Sequence, residues 1–495
     1  MFKFFFTLVE PGSLSRQQII RALIISVTGS CFAMVWVYLA QGMPLTMLME
    51  RLGATKTQIG LMVSLQQIVL ILQLPVSILV ERFKSKKPIW IIGAFIHRAI
   101  WILPGWIPFL VGDTQTAIYM IIAGVAISTT LAQMISPIWL SWMADLLPKD
   151  LSVRFWSLRN ATITIASLGM VFVAGYILDL YPDKDDFNGF LIVYSIASLA
   201  GIMDVLIHLF VPEPKRIQPV TQFSLKKRFS AIFKNVDFMW LTAALCAWYF
   251  AAALVGVFGP LFFREDLELT YTGVSMYTII ASLGAFILSL MMSKLTKKYG
   301  ARTLCVLLLF ITPLLAYVFF FAKPGMMEIS IPYFNKSVSV PASLPLVIIP
   351  QFIAGGFYSC IAIIQLHLAG ILSKPRGRIL ALAIHWSLIG LIASAGSFAG
   401  GKIGDTFDKY FKDAISIELP HMQMVSYHIL IIISTAIAWG AGLLMLKVRR
   451  NDDELTMAEV FRSMKIALPL RAITFVYQTM ISMKINKNDT DNDTE

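Results

Sequence analysis

The sequence predicts an all-α membrane protein of twelve spans. Three observations carry this: apolar stretches of helical length, a bias of basic residues toward alternate loops, and an echo between the two halves of the chain. The 495 residues are 57% hydrophobic and 14% charged, with a mean hydropathy of +0.73. A soluble globular chain carries roughly 25% charged residues, and its core cannot absorb this much apolar surface. Repeated apolar runs of about 20 residues cross a hydrocarbon core of ~30 Å as helices. A β-barrel would alternate in short segments, and none are visible.

In chain order the spans cover 21–47, 57–80, 88–111, 116–143, 155–180, 189–211, 238–263, 271–293, 302–322, 344–371, 379–403 and 424–447. They divide the chain into an N-terminal interfacial segment (1–20), six spans (21–211), a polar connector (212–237), six more spans (238–447) and a tail (448–495). Met1–Glu10 is Phe-rich and lacks a small-residue cleavage site, so it reads as interfacial and not as a signal peptide. With both termini cytoplasmic, about 31 of the 41 Lys and Arg fall in cytoplasmic segments and about eight outside. The exceptions are Arg98, inside a span, and Lys402, at a span's outer end. This bias favours an even number of spans in a plasma (inner) membrane with both termini inside.

In the connector, Phe223–Phe233 has helical periodicity and carries Lys226, Lys227 and Arg228, which predicts an interfacial helix; a flexible basic linker is the alternative. Residues 466–483 are apolar but interrupted by Pro469, Arg471 and Gln478, as in an amphipathic helix on the inner surface; a thirteenth span is the alternative. The net charge of +12 does not point to nucleic acid, because the bases form no single patch. Cys31, Cys246, Cys305 and Cys360 all lie inside spans and read as small buried hydrophobes.

Two loops identify the architecture. After the second span the chain reads Ser77-Ile-Leu-Val-Glu81-Arg82-Phe-Lys84-Ser-Lys86-Lys87-Pro88, and after the eighth Ser293-Lys294-Leu-Thr-Lys297-Lys298-Tyr-Gly300-Ala-Arg302. Both resemble the Gly-x-x-x-Asp-Arg-x-Gly loop, followed by two bases, of the major facilitator superfamily. They stand in both places where that family has it. A second echo supports duplication: Arg154 and Arg378 open the fifth and eleventh spans, and Gly175-Tyr-Ile-Leu-Asp179 and Gly401-Lys-Ile-Gly-Asp405 close them. The resemblance covers residues 15–447 and implies twelve transmembrane helices in two six-helix pseudo-symmetric bundles. It implies transport by alternating access, with the first, fourth, seventh and tenth helices lining the cavity.

The departures from the family pattern bear on gating. Glu81 stands where the family usually has Asp, and the second loop has Lys297 in place of the acid. One reading is a cytoplasmic charge lock in which Glu81, beside Arg82, pairs with Arg154 or Arg378 when the cavity faces outward. Lys298 and Arg302 carry the loop's charge in the second half. The other reading leaves Glu81 solvated among basic neighbours. The Gly- and Pro-rich fifth-span motif of drug/proton antiporters is missing, since Ser167–Gly175 contains no proline.

Polar groups within spans are costly and face the bundle interior or a wet cavity. The candidates are Trp36, Tyr38 and Gln41 on the first helix, and Thr129, Gln133 and Ser136 at i, i+4, i+7 on the fourth. Trp248 and Tyr249 lie on the seventh, and Tyr358, Gln365 and His367 on the tenth. Gln66, Gln73, Asn160, His385 and Trp386 form a second tier. Amides and aromatic faces suit a neutral polyhydroxylated solute; interhelical hydrogen bonds are the bland alternative. Arg98 and Asp204 are charged at depth, and an unpaired charge there costs at least a few kcal/mol. Asp204 is either a proton or cation coupling site or half of a structural Arg98–Asp204 pair at the periphery.

No P-loop, nucleophile elbow or zinc-protease sequence occurs, so ATP-driven transport and enzyme activity are not expected. The expected function is secondary transport of a small polar solute, a sugar or glycoside, by a monomer in membrane lipid. No cofactor is expected, and protons or sodium are candidate coupling ions. Gln41-Gly42-Met43-Pro44 resembles the first span of muropeptide permeases. A non-transporting sensor that keeps the transporter fold is the alternative from another class.

Overall fold

A computed structural model describes residues 8–10, 14–80, 83, 85–148, 151, 155, 159, 162, 169–215, 225–331, 336–373, 378–411, 417–449, 455 and 459. Among these residues eleven helices are long and apolar enough to cross a membrane. They are Arg16–Arg51, Lys56–Leu79, Lys87–Leu110, Thr114–Leu146, Asn188–His208, Val236–Asp266, Tyr271–Met292, Ala301–Phe321, Leu344–Leu372, Leu380–Tyr410 and Ser426–Met445. Gly169–Asp179 is a shorter apolar helix at the end of the predicted fifth span. Together they make twelve helices in two bundles of six. Within the connector, Leu225–Phe233 is helical. The 466–483 segment lies outside the described residues.

Helix starts follow local chemistry. Ser15 with Gln18 and Thr55 with Gln58 form capping boxes at the first and second spans. Asp113, Asn235 and Thr270 accept from backbone N–H groups in the first turn of the fourth, seventh and eighth. The first span departs from the unbroken helix expected. It stops at Ala40 and restarts at Met43, because Gly42 takes φ 65°, ψ −125° and Pro44 has no N–H to continue the ladder. The seventh span breaks at the corresponding place, where Gly256 ends one helix and Gly259-Pro260 starts the next turn.

Two small sheets were not expected. Leu8–Val9 (β1) pairs in parallel with Glu213–Pro214 (β2), tying the N-terminal segment to the start of the connector. The buried Glu213 carboxylate accepts from the Ser85 hydroxyl (2.6 Å) and the Lys86 N–H (2.5 Å), which pins the loop between the second and third spans. The Lys86 ammonium pairs with Asp145. Between the ninth and tenth spans Met326–Ile331 (β3) and Lys336–Pro341 (β4) form an antiparallel hairpin.

Apolar packing separates the two ends of the molecule. On the face where the first span starts, each half has its own core. One is built around Trp90, Trp142 and Val205, the other around Leu241, Cys305 and Ile364. On the far face one core runs through both halves, from Leu48 and Ile118 to Phe262, Tyr277 and Leu430. The halves are therefore sealed together at the far face.

Polar contacts reinforce that seal with a reciprocal pair of caps. Asp179, closing the fifth span, accepts from the backbone N–H groups of Tyr271 (2.7 Å) and Thr272 (2.8 Å) at the start of the eighth. Asp405, in the eleventh, accepts from Lys56 (3.0 Å) and Thr57 (2.8 Å) at the start of the second. Each half thus satisfies two orphan donors of the other, and each carboxylate meets the positive end of a helix dipole. Gly175 and Gly401, four residues before each acid, allow the approach. A Cβ would lie 2.8 Å from Tyr271 O and 2.4 Å from Lys56 O respectively. Arg51 donates to Tyr271 Oη (2.8 Å), and Lys56 Nζ to Asp408 (2.5 Å) and the Ser426 hydroxyl (2.7 Å).

Each cap is worth roughly 1 kcal/mol, so removing both with Asp179→Ala and Asp405→Ala raises the far-open population about tenfold or more. The readout is maleimide labelling from the far face of an Ala253→Cys reporter, in a background lacking the four native cysteines. Labelling unchanged from the parent would sink the idea.

Candidate functional site

Two adjoining cavities lie below the far-face seal. The first, of about 510 Å³, lies within the N-terminal half and is walled by its six spans. The second, of about 660 Å³, lies between the halves, walled by the first, second, fifth, seventh, eighth and eleventh spans. Val37, Gln41, Val63, Gln66 and Gln67 line both, so the cavities meet at a wall of three glutamines. The helix breaks at Gly42 and Gly256 border the second cavity, which is where irregular backbone is tolerated at membrane depth.

The first cavity contains the charged centre. Arg98 Nη2 donates to Asp204 Oδ2 at 3.0 Å, and His208 Nδ1 lies 3.0 Å from Asp204 Oδ1. Trp139 Nε1 donates to His208 Nε2 at 3.3 Å, and the Ser26 hydroxyl lies 3.2 Å from the same nitrogen. Arg98 Nη1 faces His97 Nε2 at 3.2 Å, while His97 Nδ1 contacts the Ser128 hydroxyl at 2.6 Å. The Arg98 guanidinium lies 3.8 Å from the Trp36 ring centroid, within cation–π range. Small residues make room: a Cβ on Gly201 would sit 2.7 Å from Arg98 Cδ, and one on Gly29 2.7 Å from the His208 ring. The pair lies in a cavity wall, not at the periphery.

Of the residues singled out from sequence, Trp36, Gln41, Thr129, Gln133 and Ser136 line the first cavity, and Tyr38, Gln41 and Tyr249 the second. Gln133 also accepts from Gln73 Nε2 at 2.5 Å. The tenth span lines neither cavity. Trp248 is buried in the C-terminal core against Tyr358, and His367 is exposed. Gln365 is buried, accepting from Tyr249 Oη (2.8 Å) with its amide nitrogen 3.1 Å from His385 Nε2; the other His385 nitrogen meets the Thr242 hydroxyl at 2.9 Å. That chain satisfies its own polar groups.

Among the gating residues, Glu81, Arg82 and Arg154 lie outside the described residues, and Arg378 opens the eleventh helix. Lys298 is exposed, 4.8 Å over the Tyr299 ring. Arg302 donates to the carbonyls of Val448 (2.8 Å) and Leu446 (2.5 Å), capping the last helix.

Sequence reasoning missed Arg159, Gln67 and Trp139. Arg159 lines the first cavity, donates from Nε to the Ser30 hydroxyl (3.1 Å) and lies 5.0 Å from the Trp139 ring centroid. It stands four residues into the predicted fifth span, a position that sequence alone does not separate from the bases that gather at span ends.

The comparisons with known proteins agree with this architecture. No curated protein sequence matches the chain. Among solved structures it is similar to the D-xylose-proton symporter, with a TM-score of 0.63 at 13% identity over 89% of this chain and 100% of that one. It is similar to a bacterial homolog of the human lysosomal transporter Spinster, with a TM-score of 0.62 at 15% identity over 89% of this chain and 100% of the other. It is also similar to the nucleoside transporter NupG, with a TM-score of 0.61 at 14% identity over 87% of this chain and 98% of that one. At these identities the likeness carries the fold alone. Residues 25–334, well over half of the chain, match the family description Major Facilitator Superfamily, and the chain belongs to that superfamily.

Proposed function

We propose that the protein is a secondary transporter that moves a small polar solute, a sugar or glycoside, by alternating access. The observation that carries the reading is the wall of Gln41, Gln66 and Gln67 shared by the two cavities, with Tyr38 and Tyr249 beside it. Each amide offers two donors and an acceptor, and aromatic faces stack on the C–H surfaces of hydroxylated rings. Among the structures of similar fold, two are described as a D-xylose-proton symporter and a nucleoside transporter, and they lend support to a hydroxylated solute. Muropeptide-like solutes are the alternative within the same chemistry.

With both termini in the cytoplasm of a plasma-membrane protein, the sealed far face is the outer one and the cavities open inward. Reopening at the far face then requires parting the Asp179 and Asp405 caps while the bundles close at the other end. A loop lock through Glu81, Arg82, Arg154, Lys298, Arg302 and Arg378 is proposed for that end.

The Arg98–Asp204 pair supplies a candidate coupling site, because its carboxylate and His208 both border the first cavity. Protons are the favoured ion, since these groups exchange protons and offer only one carboxylate to sodium. A purely structural pair is the competing role.

Uptake of a labelled sugar panel into proteoliposomes, with and without a proton gradient, tests the transport reading. Gln66→Leu removes one half-buried amide whose hydrogen bond is worth about 0.5–1.5 kcal/mol, and is expected to lower uptake roughly two- to tenfold with the fold intact. Unaltered uptake by Gln66→Leu and Gln67→Leu together would remove the amide wall from the site.

Asp204→Asn leaves Arg98 without its counter-charge, a change that typically costs about 3–5 kcal/mol for a buried pair. The variant should melt earlier in detergent, and Arg98→Met with Asp204→Leu should recover much of the loss. If Asp204 couples, the variants that still fold lose the dependence of uptake on the proton gradient. Retained gradient dependence would assign the pair a structural role.

A further inference from the structure

The second cavity is two-faced, and the sugar reading uses only one of its faces. Gln41 of the first span and Gln66 and Gln67 of the second supply its amides. From the C-terminal half the seventh and eleventh spans present Ala252, Ala253, Gly256, Val257, Pro260 and Ala393, whose side chains offer no hydrogen bond. Two hydroxyls on the wall are already spent within the protein. Tyr249 Oη donates to Gln365 (2.8 Å), and the Thr46 hydroxyl to the Gly42 carbonyl (3.1 Å). What Tyr249 leaves to the cavity is its ring, held by the Gln365–His385–Thr242 chain behind it. Thr278 adds one hydroxyl from the eighth span.

This cavity is also uncharged. Among the described residues that line it there is no Asp, Glu, Lys or Arg. The fifth span, which contributes Val171, carries no charged residue between Arg159 and Asp179. A charged group held here would lose its hydration without gaining a counter-charge. The chemistry that fits is neutral.

A free hexose matches only half of such a wall. It carries hydroxyls around its whole rim, and those turned to the seventh span would be desolvated without partners. A solute polar at one end and apolar at the other meets both faces without that cost.

We propose that the solute is a neutral glycoside with an apolar aglycone. Its sugar hydroxyls meet Gln41, Gln66 and Gln67, and its aglycone lies against Ala252, Ala253 and Val257 beside the Tyr249 ring. This deepens the sugar reading and rests on it for the hydroxylated end. Small side chains on the seventh span leave room for a ring or a branched chain, and burying that group supplies affinity that a free sugar cannot gain. The amides read the hydroxyls, and the seventh span reads the aglycone.

The test uses the full-length protein in lipid nanodiscs, freed of glycoside detergents because these would themselves compete for the site. Glucose, galactose and N-acetylglucosamine are titrated by calorimetry, each beside its phenyl β-glycoside. N-benzylacetamide supplies an aromatic ring without a sugar, and empty nanodiscs give the baseline. At least one phenyl glycoside is expected to bind about tenfold or more tighter than its free sugar, with a more negative heat-capacity change. Ala252→Phe fills the space of the aglycone and should cut that preference to less than about threefold. Val257→Thr keeps the side-chain shape, adds a hydroxyl to the apolar face, and should lower the preference in the same direction.

Free sugars bound as tightly as their phenyl glycosides would overturn the inference and leave the sugar reading standing. N-benzylacetamide bound as tightly as the glycosides, with no response to any free sugar, would overturn the sugar reading and the glycoside with it. A preference retained in full by both folded variants would overturn the assignment to the seventh span. No binding of any probe by folded protein would overturn both readings.

Discussion

Much of the N-terminal half is organised around one carboxylate, Asp204, buried in the wall of the first cavity. Asp204 holds Arg98 from the third span and His208 from its own, and His208 in turn meets Ser26 of the first and Trp139 of the fourth. A guanidinium at that depth is tolerable only with a counter-charge. The sequence therefore thins to glycine at Gly29 and Gly201, where a Cβ would collide with His208 and Arg98. Trp36 then caps the guanidinium face. Four of the six spans are keyed to one another by this arrangement, and the first cavity is the space left beside it.

The C-terminal half solves the same problem without charge. Thr242, His385, Gln365 and Tyr249 form a neutral hydrogen-bonded chain in which each group satisfies the next. The two halves thus share mechanics and differ in chemistry. The helix breaks at Gly42 and Gly256, and the caps at Asp179 and Asp405, occur at corresponding places. The charged centre does not. The breaks and the caps are common to both halves, while the charged centre belongs to the first.

The fold was far more legible than the site. Twelve apolar runs and two basic loops are long-range signals that survive uncertainty of a few residues at each boundary. The echo of Gly175-x-x-x-Asp179 in Gly401-x-x-x-Asp405 was visible in sequence, but its meaning was not. Only the folded chain shows each acid capping a helix of the other half. The β3–β4 hairpin was hidden although Lys336-Ser-Val-Ser-Val-Pro341 alternates with period two, because the apolar spans on either side dominate the pattern. Site residues were harder still. Trp248, Gln365 and Gln133 are indistinguishable in sequence, since a polar residue in a helix does not reveal whether its partner is a neighbouring helix or a ligand. Arg159 was obscured by the rule that bases gather at cytoplasmic span ends, which is true of most of them and not of this one.

Depth in the membrane decides which polar contacts can break and which must persist. Two conformations of a transporter must lie within a few kcal/mol of each other. The Asp179 and Asp405 caps stand at helix ends near water, so when they part, both the carboxylates and the freed N–H groups can be rehydrated at little cost. Arg98–Asp204 lies deep within its bundle with Asp204 buried, and separating it would leave two charges unpaired. The caps are accordingly suited to open and close in each cycle, and the deep pair to ride within its bundle as a rigid part.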